Sequence, residues 1–200
     1  MACQGRLNIG PSRSPGRRQD SRAGAPSGWK VPTHGRLEET KDSDIVIFGS
    51  GIGVEDVLKD RAFLDALHLD EKRQLIGSMC GGAILLTENG LLKGRKATTY
   101  PTYFEKLATY EGVTPVHEGF VSSGNVATAG GCLSAQLLCA WIMEKAVSRE
   151  LADSVMAAIL PVGEGCKAFA GWGDPAAAKA AAGGCAGVER STRDSMTLRV

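Results

Sequence analysis

A cysteine between small residues is the feature of this sequence best suited to chemistry. Cys80 follows the apolar run 75–79, and Gly81, Gly82 and a second apolar run come directly after it. This is the small-x-nucleophile-x-small pattern of a nucleophile elbow, a sharp strand-to-helix turn in which bulky neighbours would clash with the backbone. We predict that Cys80 is a catalytic nucleophile whose pKa is lowered by the amides and dipole of the following helix. The alternative is a buried packing residue.

Two predicted strands end in glycine turns. The run 44–48 predicts a strand buried on both faces that ends at Gly49, and the run 75–79 predicts a second buried strand that enters the Cys80 turn. Strands alternate with helices along the chain, which predicts an α/β fold with a mainly parallel sheet and helices on both faces. Ligands bind at the carboxyl ends of such strands, so the two turns line one pocket if the strands are neighbours.

The other elements follow from apolar spacing and from capping residues. Pro101 suits the first turn of a helix, and Ser148 suits the cap of the last one. The pattern predicts one or two short helices within 54–68, helices over 81–88, 101–109, 131–145 and 149–160, and strands over 96–99, 113–116, 120–122 and 126–128.

Composition indicates one domain between two tails. The 200 residues carry a net charge of +1, but residues 1–30 hold six basic residues and one acidic residue. We predict a disordered basic arm over 1–30, a folded domain over 31–163 and an Ala/Gly-rich low-complexity tail over 164–200. The near-neutral charge argues against a dedicated nucleic-acid surface, so we expect no nucleic-acid partner.

The six cysteines are scattered and form no CxxC pair. This pattern predicts free thiols in a reducing compartment, and hence a cytoplasmic protein without a metal site. We expect no membrane contact, because no apolar stretch is long enough to cross a bilayer. The Gly49–Gly53 turn lacks the remaining features of a dinucleotide loop, so we expect no cofactor.

Four segments in order carry a family resemblance: 44–53, 76–83, 89–101 and 124–131. Together they resemble the ThiJ/PfpI family of the class I glutamine amidotransferase-like superfamily, and they look closest to isonitrile hydratase-type members. The resemblance implies a flavodoxin-like three-layer sandwich that forms a homodimer and acts on a small molecule. It implies a reactive thiol at Cys80 and an oxyanion held by the amides near Gly51 and Gly81. Tyr100 is expected to be either a hydrogen-bond donor in the pocket or a packing residue.

The sequence also departs from the family pattern. Complete members begin with a strand and helix that carry an acidic residue against the cysteine, whereas residues 1–30 show no such strand. We therefore expect this unit to be lost or replaced, which would leave a gap beside a central strand.

The histidine and cysteine pattern departs from the family as well. Gly81 and Tyr100 occupy the positions where many members have a histidine, so no Cys–His dyad is visible. His117 is expected at the surface, and Cys132 and Cys139 are expected to pack on one face of an apolar helix.

Three functional hypotheses follow. The first is a cysteine-dependent hydrolase, hydratase or lyase acting on a small molecule. The second is a non-enzymatic module that binds a ligand or senses oxidation through its thiol. The third is an inactive, truncated remnant with an intact elbow but no acidic partner.

Overall fold

The computed structural model describes residues 22–24, 30–32, 35–51 and 53–159. Its strands are β1 (Arg22–Gly24), β2 (Lys30–Pro32), β3 (Ile45–Phe48), β4 (Leu75–Met79), β5 (Arg95–Ala97), β6 (Val113–Pro115), β7 (Phe120–Ser123) and β8 (Val126–Ala129). Its α-helices are α1 (Val54–Lys59), α2 (Arg61–Asp65), α3 (Gly82–Glu88), α4 (Phe104–Ala108), α5 (Ala135–Ala146) and α6 (Arg149–Ile159). Three 3-10 helices cover Leu37–Asp42, Pro101–Tyr103 and Cys132–Ser134.

The main sheet has the strand order β3-β4-β8-β7. Strands β3, β4 and β8 are parallel, and β7 runs antiparallel to β8. This mainly parallel sheet with helices confirms the predicted α/β, flavodoxin-like fold. Because β3 and β4 are parallel neighbours, the two glycine turns lie together at the carboxyl ends of these strands, as the sequence predicts if the strands are neighbours.

Helices cover the two faces of β4. Ile76 is fully buried in one hydrophobic cluster with Ile84 and Leu86 of α3. The next residue, Gly77, faces Leu138 of α5, since a Cβ at Gly77 would come within 2.8 Å of its Cδ1. Successive residues of a strand point to opposite faces, so α3 and α5 lie on opposite sides of the sheet and the architecture has three layers.

Strand β3 differs from its predicted environment. The sequence predicts burial on both faces, but Ile47 is 42% exposed while Val46 and Phe48 are buried. Within the described residues β3 is the edge strand of the main sheet, with β4 on one side only. A strand is buried on both faces only where helices pack against both sides of the sheet. The face of β3 that carries Ile47 is open to solvent at that residue.

The ends of the predicted domain fall near undescribed stretches. Strands β1 and β2 form an antiparallel pair in which Arg22 lies opposite Pro32 and Gly24 lies opposite Lys30. Residues 1–21 and 25–29 of the predicted arm and the whole tail 164–200 lie outside the described residues, and the boundaries at 30 and 163 stay predictions.

The chain separates into two compact units, 1–147 and 148–200. Helix α6 is the described part of the second unit, and the Ser148 hydroxyl accepts from the Leu151 amide at 3.2 Å as its predicted cap. Among the described residues, none of the helices is long and apolar enough to span a membrane.

Candidate active site

Cys80 lies on a strained turn between β4 and α3. Its φ of +54° makes it the one non-glycine residue with positive φ in the described chain. A side chain in this left-handed region costs about 1–3 kcal/mol, so surrounding contacts must hold it. They do so on both sides, because the Cys80 amide donates to the Ala129 carbonyl at 2.8 Å and its carbonyl accepts from the Thr99 hydroxyl at 2.8 Å.

The small residues after Cys80 are required by close packing. A Cβ at Gly82 would come within 2.6 Å of the Phe48 carbonyl oxygen. A Cβ at Gly81 would come within 2.8 Å of the Tyr103 ring. The elbow therefore has the geometry that its sequence pattern predicts, with the helix start pressed against the end of β3.

Ser50 connects the two glycine turns. Its hydroxyl accepts a hydrogen bond from the Gly81 amide at 3.0 Å. The predicted oxyanion donor at Gly81 therefore already has a hydrogen-bond partner, Ser50, which was not among the predicted site residues. A serine inside a glycine turn next to an elbow was the available signal.

Gly51 belongs to the turn that follows β3. It lines a groove of about 440 Å³ together with Phe48, Ser50 and Val54. Its φ is not positive, and a Cβ there would meet nothing within 4 Å, so neither conformation nor space requires glycine at this position.

Among the described hydrogen bonds, the Cys80 thiol has the Cys132 thiol as its partner. The two sulfur atoms are 3.7 Å apart. The predicted packing of Cys132 and Cys139 on one helical face is wrong, because Cys132 belongs to the 3-10 turn before α5 and both residues are exposed. Strand order is the information that would have predicted this contact, because Cys132 closely follows β8 and β8 ends beside β4.

The pKa of the Cys80 thiol is raised to about 11, whereas the sequence predicts a lowered pKa. Burial of the sulfur is the main cause, and the hydrogen bond and charge of Cys132 add to it. Helix α3 has only seven residues and its Gly81 amide is taken by Ser50, so the expected stabilisation of a thiolate is outweighed. The resting thiol is protonated at neutral pH.

A second cavity, of about 560 Å³, opens beside Cys132. Tyr100, His117 and Glu118 lie on its walls, together with Thr98 and Thr99. Tyr100 is 44% exposed, so it is available to a ligand rather than packed in the core. His117 is exposed as predicted, and its ring stacks on Phe104 with 3.8 Å between ring centroids.

The predicted site residues are thus only partly brought together. Gly81 adjoins Cys80 in the chain, while Tyr100 lines the Cys132 cavity and Gly51 lines the other groove. The described residues contain no group of three His, Cys, Asp or Glu side chains that could hold a metal ion.

Comparison with known proteins identifies the family of this chain. The DJ-1/PfpI family model matches residues 22–145, which is more than half of the chain. The chain is 34% identical to isonitrile hydratase from Pseudomonas putida over 96 residues, covering 48% of this chain and 42% of that protein. It is 28% identical to protein DJ-1 homolog A from Arabidopsis thaliana over 140 residues, covering 66% of this chain and 35% of that protein.

Among solved structures, the Schizosaccharomyces pombe DJ-1 structure is similar in fold. It has a TM-score of 0.60 at 18% identity and covers 72% of this chain and 80% of that one. The chain spans less than half the length of the two curated relatives. The chain belongs to the DJ-1/PfpI family.

Proposed function

We propose that this protein is a cysteine-dependent enzyme that adds water to a small molecule, with Cys80 as the nucleophile. The observation that carries the proposal is the strained backbone of Cys80, held at φ +54° at the carboxyl end of β4. A non-glycine residue persists in such a conformation only when its surroundings enforce it, and such strain clusters at active sites.

The proposed substrate has an electrophilic carbon in a carbon–nitrogen multiple bond, because such a bond can take up both the sulfur and the proton of a thiol. In the first step the S–H bond breaks, an S–C bond forms, and the thiol proton goes to the same carbon. Water then adds across the remaining C=N bond, with its oxygen on that carbon and one proton on the nitrogen, and the C–S bond breaks as the carbonyl forms, with the second water proton returning to the sulfur. The first step delivers the thiol proton to the substrate carbon, so no separate base has to keep that proton. The relative named isonitrile hydratase supports this substrate class.

Peptidase activity is less well supported by the same site than hydratase activity. Peptide hydrolysis by a thiol needs a base that takes the proton before attack. Among the described hydrogen bonds, the Cys80 thiol has Cys132 as its partner and not a histidine. Hydratase or lyase chemistry therefore fits this site better than peptide hydrolysis.

Gly81, Gly51 and Tyr100 have proposed roles around this thiol. The Gly81 amide becomes available to a developing negative charge when the Ser50 hydroxyl, which now accepts from it at 3.0 Å, rotates away. Gly51 contributes to the groove on the β3 side, and Tyr100 donates to a ligand in the Cys132 cavity.

The second candidate is a ligand-binding module or an inactive remnant without turnover. The raised pKa of Cys80 favours it, because the thiolate is the stronger nucleophile and is scarce at neutral pH.

We also propose a homodimer in the cytoplasm, on the basis of the family resemblance and the free thiols. Light scattering during gel filtration tests the dimer.

The function is tested with a small alkyl isonitrile and the full-length protein. Loss of the isonitrile infrared band and formation of the N-substituted formamide report turnover. We expect turnover in the wild type and in Cys139→Ala, a matched exposed-cysteine control, and only background in Cys80→Ala. Turnover that survives Cys80→Ala contradicts the nucleophile. Absence of turnover in the wild type contradicts the hydratase and favours the second candidate.

A further inference from the structure

Two sulfur atoms from separate elements meet at one edge of the main sheet. Cys80 follows β4 and Cys132 follows β8, and these parallel neighbours are in register with Met79 opposite Ala129. The register therefore places the two turns together and leaves the sulfur atoms 3.7 Å apart. Cys80 is buried at 6% exposure, whereas Cys132 is exposed to solvent.

A disulfide is within reach of this pair. An S–S bond is about 2.05 Å long, so the sulfurs must approach by less than 2 Å, which is about the scale of a side-chain rotation with a small loop shift. The residue directly before Cys132 has room for such a shift. Gly131 lies in extended backbone, and a Cβ there would meet nothing within 4 Å.

We propose that Cys80 and Cys132 form a disulfide in response to a hydroperoxide, with Cys132 oxidised first and Cys80 acting as the resolving thiol. In the first step the Cys132 thiolate attacks the peroxide oxygen, the O–O bond breaks, and the leaving hydroxide takes a proton to become water, which leaves a sulfenic acid. In the second step the Cys80 sulfur attacks the Cys132 sulfur, and the sulfenic hydroxyl leaves as water with the Cys80 proton. Overall, two thiols and one hydrogen peroxide give one disulfide and two waters.

The order of oxidation follows from exposure. Peroxide in solvent meets Cys132 directly, since it lines the open cavity of about 560 Å³. Cys80 is protonated and buried, so its direct oxidation is slow. This inference rests on the geometry of the two sulfurs and goes beyond the proposed enzymatic function, because it holds whether or not Cys80 turns over a substrate.

Cys139 is the matched control. It is exposed like Cys132, but it lies seven residues further along the chain, within α5. At 1.5 Å rise per residue, seven helical residues place Cys139 about 10 Å along the helix from Cys132, so the two cysteines do not occupy the same position beside Cys80.

The experiment oxidises the full-length protein with hydrogen peroxide and maps the peptides without reduction. Trypsin releases Cys80 on peptide 74–93 and leaves Cys132 and Cys139 together on peptide 107–145. We expect these peptides to be cross-linked in the wild type and in Cys139→Ser, with the link lost on addition of a thiol reductant. The link should be absent in Cys132→Ser.

The order of the steps has its own readout. Dimedone should trap a sulfenic acid on Cys132 in Cys80→Ser. Oxidation at Cys80 in Cys132→Ser should be at least about tenfold slower than disulfide formation in the wild type. Phenylarsine oxide, which bridges two adjacent thiols, tests the pair in the reduced wild-type chain and needs no substitution.

Three outcomes would overturn the proposal. One is a cross-link that disappears in Cys139→Ser, and another is a link only between separate chains. The third is a sulfinic acid on Cys80 with Cys132 still reduced, which would make Cys80 the first site of attack. Failure of the isonitrile assay leaves this test unaffected, since its readout is the oxidation state of the cysteines.

Discussion

The glycine turns after β3 and β4 lie side by side at one edge of the sheet, but their glycines serve different purposes. A Cβ at Gly81 or Gly82 would collide with neighbouring atoms at 2.8 Å or less, whereas a Cβ at Gly49, Gly51 or Gly53 would meet nothing within 4 Å. The same contrast holds for the strands, since β4 has no exposed residue and β3 exposes Ile47. Packing therefore imposes the cysteine half of the site, while the β3 half borders open space.

Matched isoleucine substitutions test this contrast with the largest expected effect. Ile76 of β4 is fully buried, whereas Ile47 of β3 is 42% exposed. We expect Ile76→Ala to lower the free energy of unfolding by about 4 kcal/mol and Ile47→Ala by less than about 1 kcal/mol, because only the first leaves a cavity in the core. Urea unfolding measures both. Equal losses would mean that the outer face of β3 is covered in solution.

The glycines give a second matched pair. Gly82→Ala forces a methyl group to within 2.6 Å of the Phe48 carbonyl oxygen, which cannot move without shifting β3. We expect a loss of about 2–3 kcal/mol for Gly82→Ala and a change within about 0.5 kcal/mol for Gly51→Ala. Thermal unfolding of the two variants checks this. A tolerant Gly82 would show that the elbow is looser than its packing indicates.

Buried hydroxyls within the central strands offer a smaller and opposite pair of effects. Among the described residues, the Ser78 hydroxyl is buried without a hydrogen-bond partner, whereas the Thr128 hydroxyl accepts from the Thr98 amide at 2.9 Å. We expect Ser78→Ala to raise the free energy of unfolding by about 1 kcal/mol and Thr128→Val to lower it by about 1–2 kcal/mol. Denaturant titration gives both values, and a destabilised Ser78→Ala would indicate a buried water at that hydroxyl.

Local patterns predicted the fold because neighbouring residues carry that information. The apolar run 75–79, the small residues around Cys80 and the cap at Ser148 each correspond to the observed element. The burial of Ile47 was predicted wrongly, because an apolar run does not reveal whether a helix covers its outer face.

The site could be predicted only in part, because its decisive contacts join distant residues. The Cys80–Cys132 contact spans 52 residues, and the Ser50–Gly81 contact spans 31. Both depend on strand order, which one sequence does not display. The direction of the Cys80 pKa shift was predicted wrongly for the same reason, since burial and Cys132 outweigh the short helix α3.

The most direct test of the account is the pH dependence of Cys80 alkylation, followed by peptide mapping in the full-length protein. The thiolate is the reactive form, so with a pKa of about 11 the rate should rise about tenfold per pH unit from pH 7 to 10 and level off above pH 11. Cys132→Ala should move the midpoint down while leaving it above the free-thiol value of about 8.5, because burial remains. Cys139→Ala should leave the midpoint unchanged. A wild-type midpoint below about 8.5 would contradict the account, because it would mean that the elbow holds a thiolate instead of a buried, protonated thiol paired with Cys132.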